Sequence, residues 1–375
     1  MENKKKVLFV SAANSTHTVK WVNSLADTFE VHLAYCKNHK PNMDKIDSRV
    51  ILHSLCYNAP FGYYLNCLQL KKISKMVESD IINIHYASGY GTLARISKLK
   101  NFLLSVWGSD VYDFPNQSKL KKRILKKNVM YASEIASTSN IMAKQLKKQI
   151  PDLSKQIYIT PFGVDINQFK KNKKNKPNDD IIIGNVKTLN NEVYGIDIAI
   201  LAIKKLKENL ILQGNKELSD RIKLYIYGDG EDKEKLIRLI NSNHLEETVF
   251  LKGKIAHEKV PEAINEFDIF CITSNKESFG VSVIEAMACE VPVVATDADG
   301  FQEVIENNCT GIIVKRKNID EIAKALEKLI NNENLREQMG KNGRKKVMKE
   351  FDWENNVRTM VQIYKKCINR SKDNK

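Results

Sequence analysis

The sequence predicts an α/β protein of two doubly wound domains, each built on a parallel β-sheet. The chain has 375 residues, more than one ordinary hydrophobic core accommodates, and 42% of them are hydrophobic, which is ample for globular packing. Short apolar runs alternate with helical stretches almost throughout. This alternation restarts once, after a polar break near the middle of the chain. Two series of alternating elements therefore indicate two domains.

The first half contains short apolar runs that predict strands. They are Val7–Val10, Val31–Tyr35, Ile81–His85, Phe102–Trp107 and Glu134–Ser137. A helix from about Thr18 and a basic helix after Trp107 stand between them. Strands that alternate with helices form right-handed βαβ units, so we expect a parallel sheet that binds ligands at the carboxyl ends of its strands.

The second half repeats the alternation after a solvated linker. Its predicted strands are Ile181–Val186, Lys223–Tyr227, Val249–Lys252, Ile269–Thr273, Pro292–Thr296 and Gly311–Val314. The linker reads KKNKKNKPNDD, one proline among charged and amide residues. The predicted domains are therefore 1–169 and 181–355, with the linker at 170–180. A final helix from Trp353 has an apolar face formed by Val357, Met360, Val361, Tyr364 and Ile368.

Composition restricts the class of protein and its partners. The formal net charge is +15, which indicates either a role in solubility or an anionic partner, namely nucleic acid, a membrane surface or a phosphorylated substrate. No apolar run approaches the roughly 20 residues that cross a bilayer. The first apolar run, Val7–Val10, is too short for a signal-peptide core, and the seven cysteines are scattered without a C-x-x-C pair. These features predict a cytoplasmic protein with reduced thiols.

The stretch richest in candidate site residues runs from Ser274 to Ala288. It joins a strand to a helix that begins near Val281, and Gly280 allows a ligand close to the amides of that helix start. Glu277 precedes the helix and Glu285 lies one turn into it, so both carboxylates can face one crevice. A carboxylate suits the ribose diol of a nucleotide. The alternative is that the helix dipole merely favours Glu285.

The sequence from Glu277, ESFGVSVIEAMACEVPVVATDADGFQEVI, resembles the E-x7-E donor region of the retaining family 4 glycosyltransferases. Other segments agree in order along nearly the whole chain. In the second half they are IIIGNVKTL, YIYGDGEDKEKL, FLKGKIAHEKVPEAINEFDIF and FDWE; in the first half, more loosely, STHTVKWVNSLA, IINIHYASGYG, VWGSDVY and ITPFGVDINQF. The resemblance implies a GT-B fold, two Rossmann-like domains facing a cleft, with the helix at 356–375 packing back on the first domain.

The resemblance also implies roles for the donor-side residues. Glu285 is expected to bind the ribose and Glu277 to lie by the transferred sugar and the diphosphate. The other donor-binding residues are expected to be Ser278, Phe279, Gly280, Val281 and Gly253.

Lys187 follows the strand Ile181–Val186, where a cation can neutralise the charge that grows on a departing diphosphate. The family usually has a second cation, a lysine directly before a glycine. Tyr194 occupies that place ahead of Gly195. Lys187 is therefore expected to act alone, or Arg95 or Lys254 to supply the second charge; an exposed loop lysine is the alternative.

Three positions of the first domain complete the predicted site. His85 ends a strand, and in the family a histidine there faces the donor sugar; a satisfied structural histidine is the alternative. Ser15 and His17 lie in the predicted loop before the first helix and are acceptor-side candidates. Asp110, in WGSD, is a third, although an aspartate there equally suits the cap of a turn.

Two short motifs resemble a metal-binding site and a dinucleotide-binding site. Asp297-Ala298-Asp299 has the D-x-D form of metal-dependent glycosyltransferases but follows a strand where this family has a variable loop. Gly228-Asp229-Gly230 is half of a dinucleotide fingerprint and fits a tight turn better. We therefore expect no metal site and no bound cofactor.

The basic residues cluster in two predicted helices. One contains Lys119–Lys127 and the other Lys144, Lys147 and Lys148. Basic amphipathic helices dock on anionic headgroups, and a solvated lysine-rich face is the alternative. Nucleic acid is not expected as a partner, because no aromatic platform accompanies the charge.

The sequence thus predicts a metal-independent, retaining hexosyltransferase. The expected donor is a nucleoside diphosphate sugar, a UDP-sugar by preference. The expected acceptor is a glycan or lipid-linked oligosaccharide of bacterial surface polysaccharide, lipopolysaccharide or capsule, made at the inner face of the plasma membrane. A nucleotide-sugar epimerase or hydrolase of the same fold, and a non-catalytic basic membrane-binding protein, are the alternatives.

Overall fold

A computed structural model describes residues 4–172 and 179–373 of the chain. Its contacts divide the chain into two compact units, Met1–Pro161 with Glu354–Lys375, and Phe162–Trp353. Each unit contains one parallel sheet with helices, so the predicted doubly wound α/β class is confirmed.

The first unit has a sheet in the order β3-β2-β1-β4-β5-β6-β7, all neighbours parallel. Its strands are β1 (Lys6–Val10), β2 (Glu30–Tyr35), β3 (Ile51–Ser54), β4 (Ile81–His85), β5 (Phe102–Val106), β6 (Glu134–Ser137) and β7 (Ile157–Ile159). Its α-helices are α1 (Thr16–Leu25), α2 (Gly62–Leu65), α3 (Cys67–Val77), α4 (Gly89–Ile96), α5 (Ser109–Tyr112), α6 (Lys119–Tyr131) and α7 (Asn140–Gln149), with 3₁₀ turns at Met43–Lys45 and Phe114–Asn116.

The second unit has a sheet in the order β10-β9-β8-β11-β12-β13, again parallel. Its strands are β8 (Ile181–Val186), β9 (Ile222–Tyr227), β10 (Val249–Gly253), β11 (Ile269–Ile272), β12 (Val293–Thr296) and β13 (Gly311–Val314). Its α-helices are α8 (Asn191–Tyr194), α9 (Ile196–Leu212), α10 (Lys216–Arg221), α11 (Lys233–Ser242), α12 (Val260–Glu266), α13 (Val281–Ala288), α14 (Asp299–Val304), α15 (Ile319–Ile330) and α16 (Glu333–Glu350), with a 3₁₀ turn at His257–Lys259.

The central strands of both sheets are apolar because helices cover both of their faces. β4, β5 and β11 are buried at every residue. Each sheet has its own core: Val10 and Ile84 belong to one, Ile183 and Ile269 to the other. The predicted apolar strands therefore form the whole of the second sheet and the inner five strands of the first.

Two strands of the first sheet, β3 and β7, were not predicted. β3 lies at one edge, and its four residues are exposed or half-buried rather than a buried apolar run. β7 lies at the other edge and has only three residues. Both strands are short and partly solvated, so they lack the continuous apolar signal of a central strand.

The division between the units also differs from the predicted one, at 161 rather than 169. Val164 forms a bridge with Asp352, and Arg344 donates to the carbonyl oxygens of Ile166 and Phe169. These bonds attach 162–169 to the second unit. The predicted linker, 170–180, lies between Phe169 and β8, and its residues 173–178 are outside the described residues.

The final helix, α17 (Trp353–Asp373), packs on the first unit from Glu354 onward. Tyr364 is fully buried against Phe9 and Phe29, and its hydroxyl oxygen accepts a hydrogen bond from Asn83 at 2.6 Å. Further along, Arg370 pairs with Glu134 at 2.9 Å. The chain therefore ends in the domain in which it begins.

No helix of the described residues is both long and apolar enough to cross a membrane. No disulfide joins any of the seven cysteines, all of which lie among the described residues, and four of them are buried.

Candidate functional site

Both sheets reverse their strand order at one point, where loops from neighbouring strands diverge. In the second unit this point lies between β8 and β11, and in the first unit between β1 and β4. Ligands of doubly wound sheets bind at such points, outside the carboxyl ends of the strands. Lys187 directly follows β8, and Glu277 lies in the loop after β11. The fold thus brings these two predicted residues to the switch point of the second unit.

Lys187 and Glu277 form an ion pair, with 2.7 Å between Nζ and Oε2. Their side chains are only 16% and 13% exposed, so water screens the pair little. Burial opposes the charge of Lys187, but Glu277, with smaller contributions from Tyr194 and Glu285, outweighs it, and the pKa of Lys187 is raised. Lys187 is therefore a cation at neutral pH.

Tyr194, which replaces the family's lysine, lies beneath this cation. Nζ of Lys187 is 4.7 Å from the centroid of the Tyr194 ring, a distance typical of a cation–π contact. The tyrosine is thus positioned to support the existing charge rather than to add a second one. Of the alternative cations, Arg95 lies in the first unit and donates to Asn128 at 2.7 Å, and Lys254 is exposed.

The turn before α13 requires a glycine at position 280. Gly280 has φ +106°, a left-handed conformation that L side chains rarely adopt, and an added Cβ would lie 2.9 Å from the Phe301 ring. Its carbonyl oxygen accepts the amides of Val283 and Ile284. The earlier amides of the turn, those of Val281 and Ser282, therefore remain available to oxygen atoms of a ligand.

Glu285 lies on α13 and is 6% exposed. Its Oε1 is 3.1 Å from Nε2 of His257, which also packs against the Phe169 ring with 5.7 Å between centroids. One carboxylate oxygen is thus oriented by the imidazole. Sequence reasoning missed His257, because it lies in a different loop, after β10, and no local pattern connects the two positions.

The remaining donor-side residues differ in what they can offer. Phe279 is 1% exposed and packs between Phe162 and Phe351, so its ring belongs to the core and only its backbone can meet a ligand. Ser278 is half-buried. Gly253 has φ +78° and open space at its Cα, while its carbonyl oxygen accepts the amide of Gly228 at 2.8 Å.

In the first unit His85 ends β4 at the switch point and is 1% exposed. Its ring lies 4.3 Å from that of Trp107 and 5.2 Å from that of Phe9, centroid to centroid. Neither ring nitrogen has a hydrogen-bond partner among the described residues. Burial, together with the neighbouring His17, lowers the pKa of His85 to about 3, so the imidazole is neutral.

Ser15 and His17 also lie at this end of the sheet. The structure corrects their setting: α1 begins at Thr16, so His17 is in the first turn of the helix and Ser15 is its N-terminal cap residue. The His17 ring packs edge-on against Trp107 at 5.8 Å. His17 and His85 thus contact the same indole.

Asp110 adopts the alternative role of a turn residue. Its carboxylate is 1% exposed and accepts the amides of Ala87, Trp107 and Gly108 at 2.7 to 3.1 Å. Burial raises the pKa of Asp110 while these amides lower it, and the net direction is upward. The residue joins the loops after β4 and β5, so it holds the predicted acceptor side together instead of facing it.

The two imitating motifs have structural roles. Asp297 accepts both the backbone amide and the side chain of Arg316, at 3.0 and 2.9 Å. Gly228 has φ +155°, and an added Cβ would lie 1.8 Å from the carbonyl oxygen of Lys187. That glycine lets the loop after β9 pass close to the loop that carries the buried lysine.

Comparison with known families identifies the chain. Residues 166–346 match the family described as glycosyl transferases group 1, and residues 6–139 match the family described as glycosyl transferase 4-like. Together the two matches cover most of both units. The chain is a family 4 glycosyltransferase.

Individual relatives agree with this assignment. A glycosyltransferase of Methanocaldococcus jannaschii, itself uncharacterised, is 26% identical over 93% of each chain. A capsular polysaccharide biosynthesis glycosyltransferase of Staphylococcus aureus is 31% identical over 53% of this chain and 49% of its own. Among solved structures, Anabaena HepE in complex with UDP-glucose superposes with a TM-score of 0.76 at 16% identity, over 96% of this chain and 99% of that one. The likeness shows that this family 4 glycosyltransferase has the GT-B fold.

Proposed function

We propose that this glycosyltransferase transfers a hexose from a nucleoside diphosphate sugar, a UDP-sugar by preference, with retention of anomeric configuration. The proposed acceptor is a glycan or lipid-linked oligosaccharide of a bacterial surface polysaccharide. The named relatives support this direction: one is a capsular polysaccharide enzyme, and the HepE structure contains UDP-glucose. The family assignment supports glycosyl transfer as the reaction. The residues of the second unit support the proposed binding of the donor.

The observation that carries the proposal is the partly buried ion pair of Lys187 and Glu277, with Glu277 three residues ahead of the left-handed turn at Gly280. A buried ion pair is weak as a stabilising device, because desolvation of both charges offsets most of their attraction. Such a pair at a switch point is better explained by ligand binding. When a diphosphate approaches Lys187, Glu277 is released to accept a hydrogen bond from a hydroxyl of the sugar.

The proposed reaction needs charge stabilisation on the leaving group. The acceptor hydroxyl attacks the anomeric carbon from the face that the diphosphate leaves, and an oxygen of the departing phosphate takes the hydroxyl proton. Lys187 and the first amides of α13 stabilise the negative charge on the diphosphate. Glu285 accepts from the ribose hydroxyls in the orientation that His257 gives it. His85, Ser15 and His17 are proposed for the sugar and acceptor side.

No step of this mechanism uses a metal ion, and turnover in excess EDTA tests it. The chain would be incubated with UDP-, GDP- and ADP-sugars and a lipid-linked or glycan acceptor, and release of the nucleoside diphosphate measured. We expect one donor to turn over at the same rate with and without EDTA. Complete loss of turnover on chelation, restored by added Mg²⁺ or Mn²⁺, would exclude the mechanism.

The same assay separates the two alternatives. Rapid formation of free sugar or of an epimer without acceptor would favour a hydrolase or an epimerase. A chain that binds no nucleotide and shows only a salt-sensitive lipid interaction would be the non-catalytic protein.

A further inference from the structure

The exposed side of α2 and α3 carries a row of large apolar side chains, here called the apolar ridge: Phe61, Tyr64, Leu65 and Leu68. They are 75%, 52%, 55% and 79% exposed. Their spacing of three or four residues places them along one side of the helical segment. Single exposed apolar residues are ordinary on a protein surface, whereas a contiguous row marks an interaction site.

The ridge is not needed to hold the helices in place. The opposite side of α3 supplies Leu70, Ile73 and Val77 to the core. Asn66, between the two helices, both accepts from the amide of Tyr57 and donates to its carbonyl oxygen, each at 3.0 Å. The segment is therefore apolar on two sides, one packed and one facing solvent.

Lysine side chains lie on the same exposed side of α3, directly after the ridge. Lys71, Lys72 and Lys75 follow the ridge at the same helical spacing and are exposed. No acidic residue occurs between Asp47 and Glu78. The basic helix α6 adds six further cations without a carboxylate, and α4, which lies beneath, contacts α2, α3 and α6.

The ridge lies at the catalytic end of the first sheet. Tyr63, on the inner side of α2, packs against Tyr90 with 5.2 Å between ring centroids. Tyr90 is in the first turn of α4, which follows β4 and His85. In a parallel sheet, each helix that follows a strand begins next to the carboxyl end of that strand. The helices α2, α3 and α4 therefore begin at the end of the first sheet where His85 lies, and the ridge is at that end too.

We propose that the apolar ridge docks on an anionic lipid bilayer and presents this end of the unit to acceptors held in the membrane. Phenyl and leucyl side chains insert at the depth of the headgroups, tyrosine favours that interface, and the adjoining lysines contact lipid phosphates. The relevance to catalysis rests on the proposed transfer to a lipid-linked acceptor, whereas the docking itself does not.

The size of the ridge favours a bilayer over a second copy of the chain. Four such side chains expose on the order of 400 Å² together. A stable protein–protein interface needs about 800 Å² on each partner. Reversible membrane binding needs only a few inserted side chains together with electrostatic attraction.

The full chain would be tested by co-flotation with vesicles of phosphatidylcholine alone and with about one quarter phosphatidylglycerol. We expect binding only to the anionic vesicles, weakened as salt rises from about 0.1 M to about 0.5 M. The double variant Phe61→Ser/Leu68→Ser should bind at least about tenfold more weakly. Ile211→Ser/Leu212→Ser, which removes two exposed apolar residues of the second unit, is the matched control and should bind as the wild type does.

Three results would overturn the proposal. They are no binding to anionic vesicles, equal binding by the ridge variant and the wild type, and a dimer in sedimentation velocity that the ridge variant abolishes. Vesicle binding is measured without donor, and nucleotide binding is measured without vesicles. Failure of the docking proposal is therefore distinguishable from failure of the proposed transfer reaction.

Discussion

At the scale of single residues, the structure distinguishes side chains that pack or bond within the loops from polar side chains at the switch points of the two sheets. Asp110 and Phe279 are both buried, but one is saturated by backbone amides and the other packs between two aromatic rings. Lys187 is partly buried and bonded to a carboxylate at the switch point, whereas His85 is buried and neither of its ring nitrogens has a hydrogen-bond partner among the described residues. These two carry the residue-scale predictions.

Replacing Lys187 by Ala should lower kcat by roughly 100- to 1,000-fold. The reason is that one preorganised charge opposite a developing anion contributes this much to transition-state stabilisation. Release of the nucleoside diphosphate at saturating donor measures it. Lys254→Ala is the control: Lys254 is exposed, and its loss should leave kcat nearly unchanged. A larger loss of kcat with Lys254→Ala than with Lys187→Ala would mean that Lys254, and not Lys187, stabilises the departing diphosphate.

His85 should make stability depend on pH. Burial lowers its pKa to about 3, whereas the unfolded chain takes up the proton near pH 6.5. A depressed folded-state pKa means that its contribution to stability is complete above pH 6.5 and is lost as pH falls toward 3. The expected loss is up to about 1.4 kcal/mol per pH unit.

Urea unfolding at pH 7, 5.5 and 4.5 measures this contribution, with His85→Leu as the comparison. The free energy of unfolding is plotted against pH for each protein. Because the other histidines are present in both proteins, the difference between the two slopes of these plots isolates the contribution of His85. Parallel slopes for the wild type and His85→Leu would show that the imidazole is protonated in the folded state.

At the scale of elements, all six strands of the second sheet and five of the seven strands of the first could be predicted from the sequence, whereas β3 and β7, the edges of the first sheet, could not. β11 is a continuous apolar run and β4 is apolar except for Asn83 and His85, and both strands are buried at every residue, so their composition identifies them as central strands. β3 and β7 depend on pairing with a neighbour that the local sequence does not show. The same limit applies to the site: Glu277 and Glu285 belong to one recognisable motif, whereas His257 meets Glu285 only through tertiary structure.

The turn before α13 gives a prediction at this scale. Gly280→Ala should destabilise the second unit by about 1–2 kcal/mol for the left-handed backbone, and further because the new Cβ meets Phe301 at 2.9 Å. Donor affinity should fall as well, because the amides of the turn move. Thermal unfolding and titration with a nucleoside diphosphate measure the two effects.

Gly214→Ala is the matched control for this turn. Gly214 also has a positive φ, +81°, but nothing lies within 4 Å of an added Cβ. It should lose only the backbone contribution and keep its donor affinity. Equal losses of stability and affinity in both variants would mean that the turn before α13 has no special demand for glycine.

At the scale of the whole molecule, two features stand out: the net charge of +15 and the helix α17, which packs on the first unit although it follows the second in sequence. The charge is not spread evenly: the stretches around α3 and α6 have cations without carboxylates, which is where an anionic surface would dock. The family could be predicted from the sequence because family-like segments occur in the same order along nearly the whole chain. Both sheets could be predicted because short apolar strands alternate with helices in each half. The identity of the sugar could not, since a few hydroxyl contacts decide it.

The central claim is that the second unit binds a nucleoside diphosphate through Glu285 and the adjoining Lys187–Glu277 pair. Calorimetric titration of UDP, GDP and ADP into the wild type and Glu285→Ala tests it most directly. Glu262→Ala, which removes an exposed carboxylate that pairs with Lys259, is the control. We predict that one nucleotide binds the wild type and the control equally, and Glu285→Ala at least about tenfold more weakly. Undiminished affinity in Glu285→Ala, or no binding of any nucleotide to the wild type, would contradict the account.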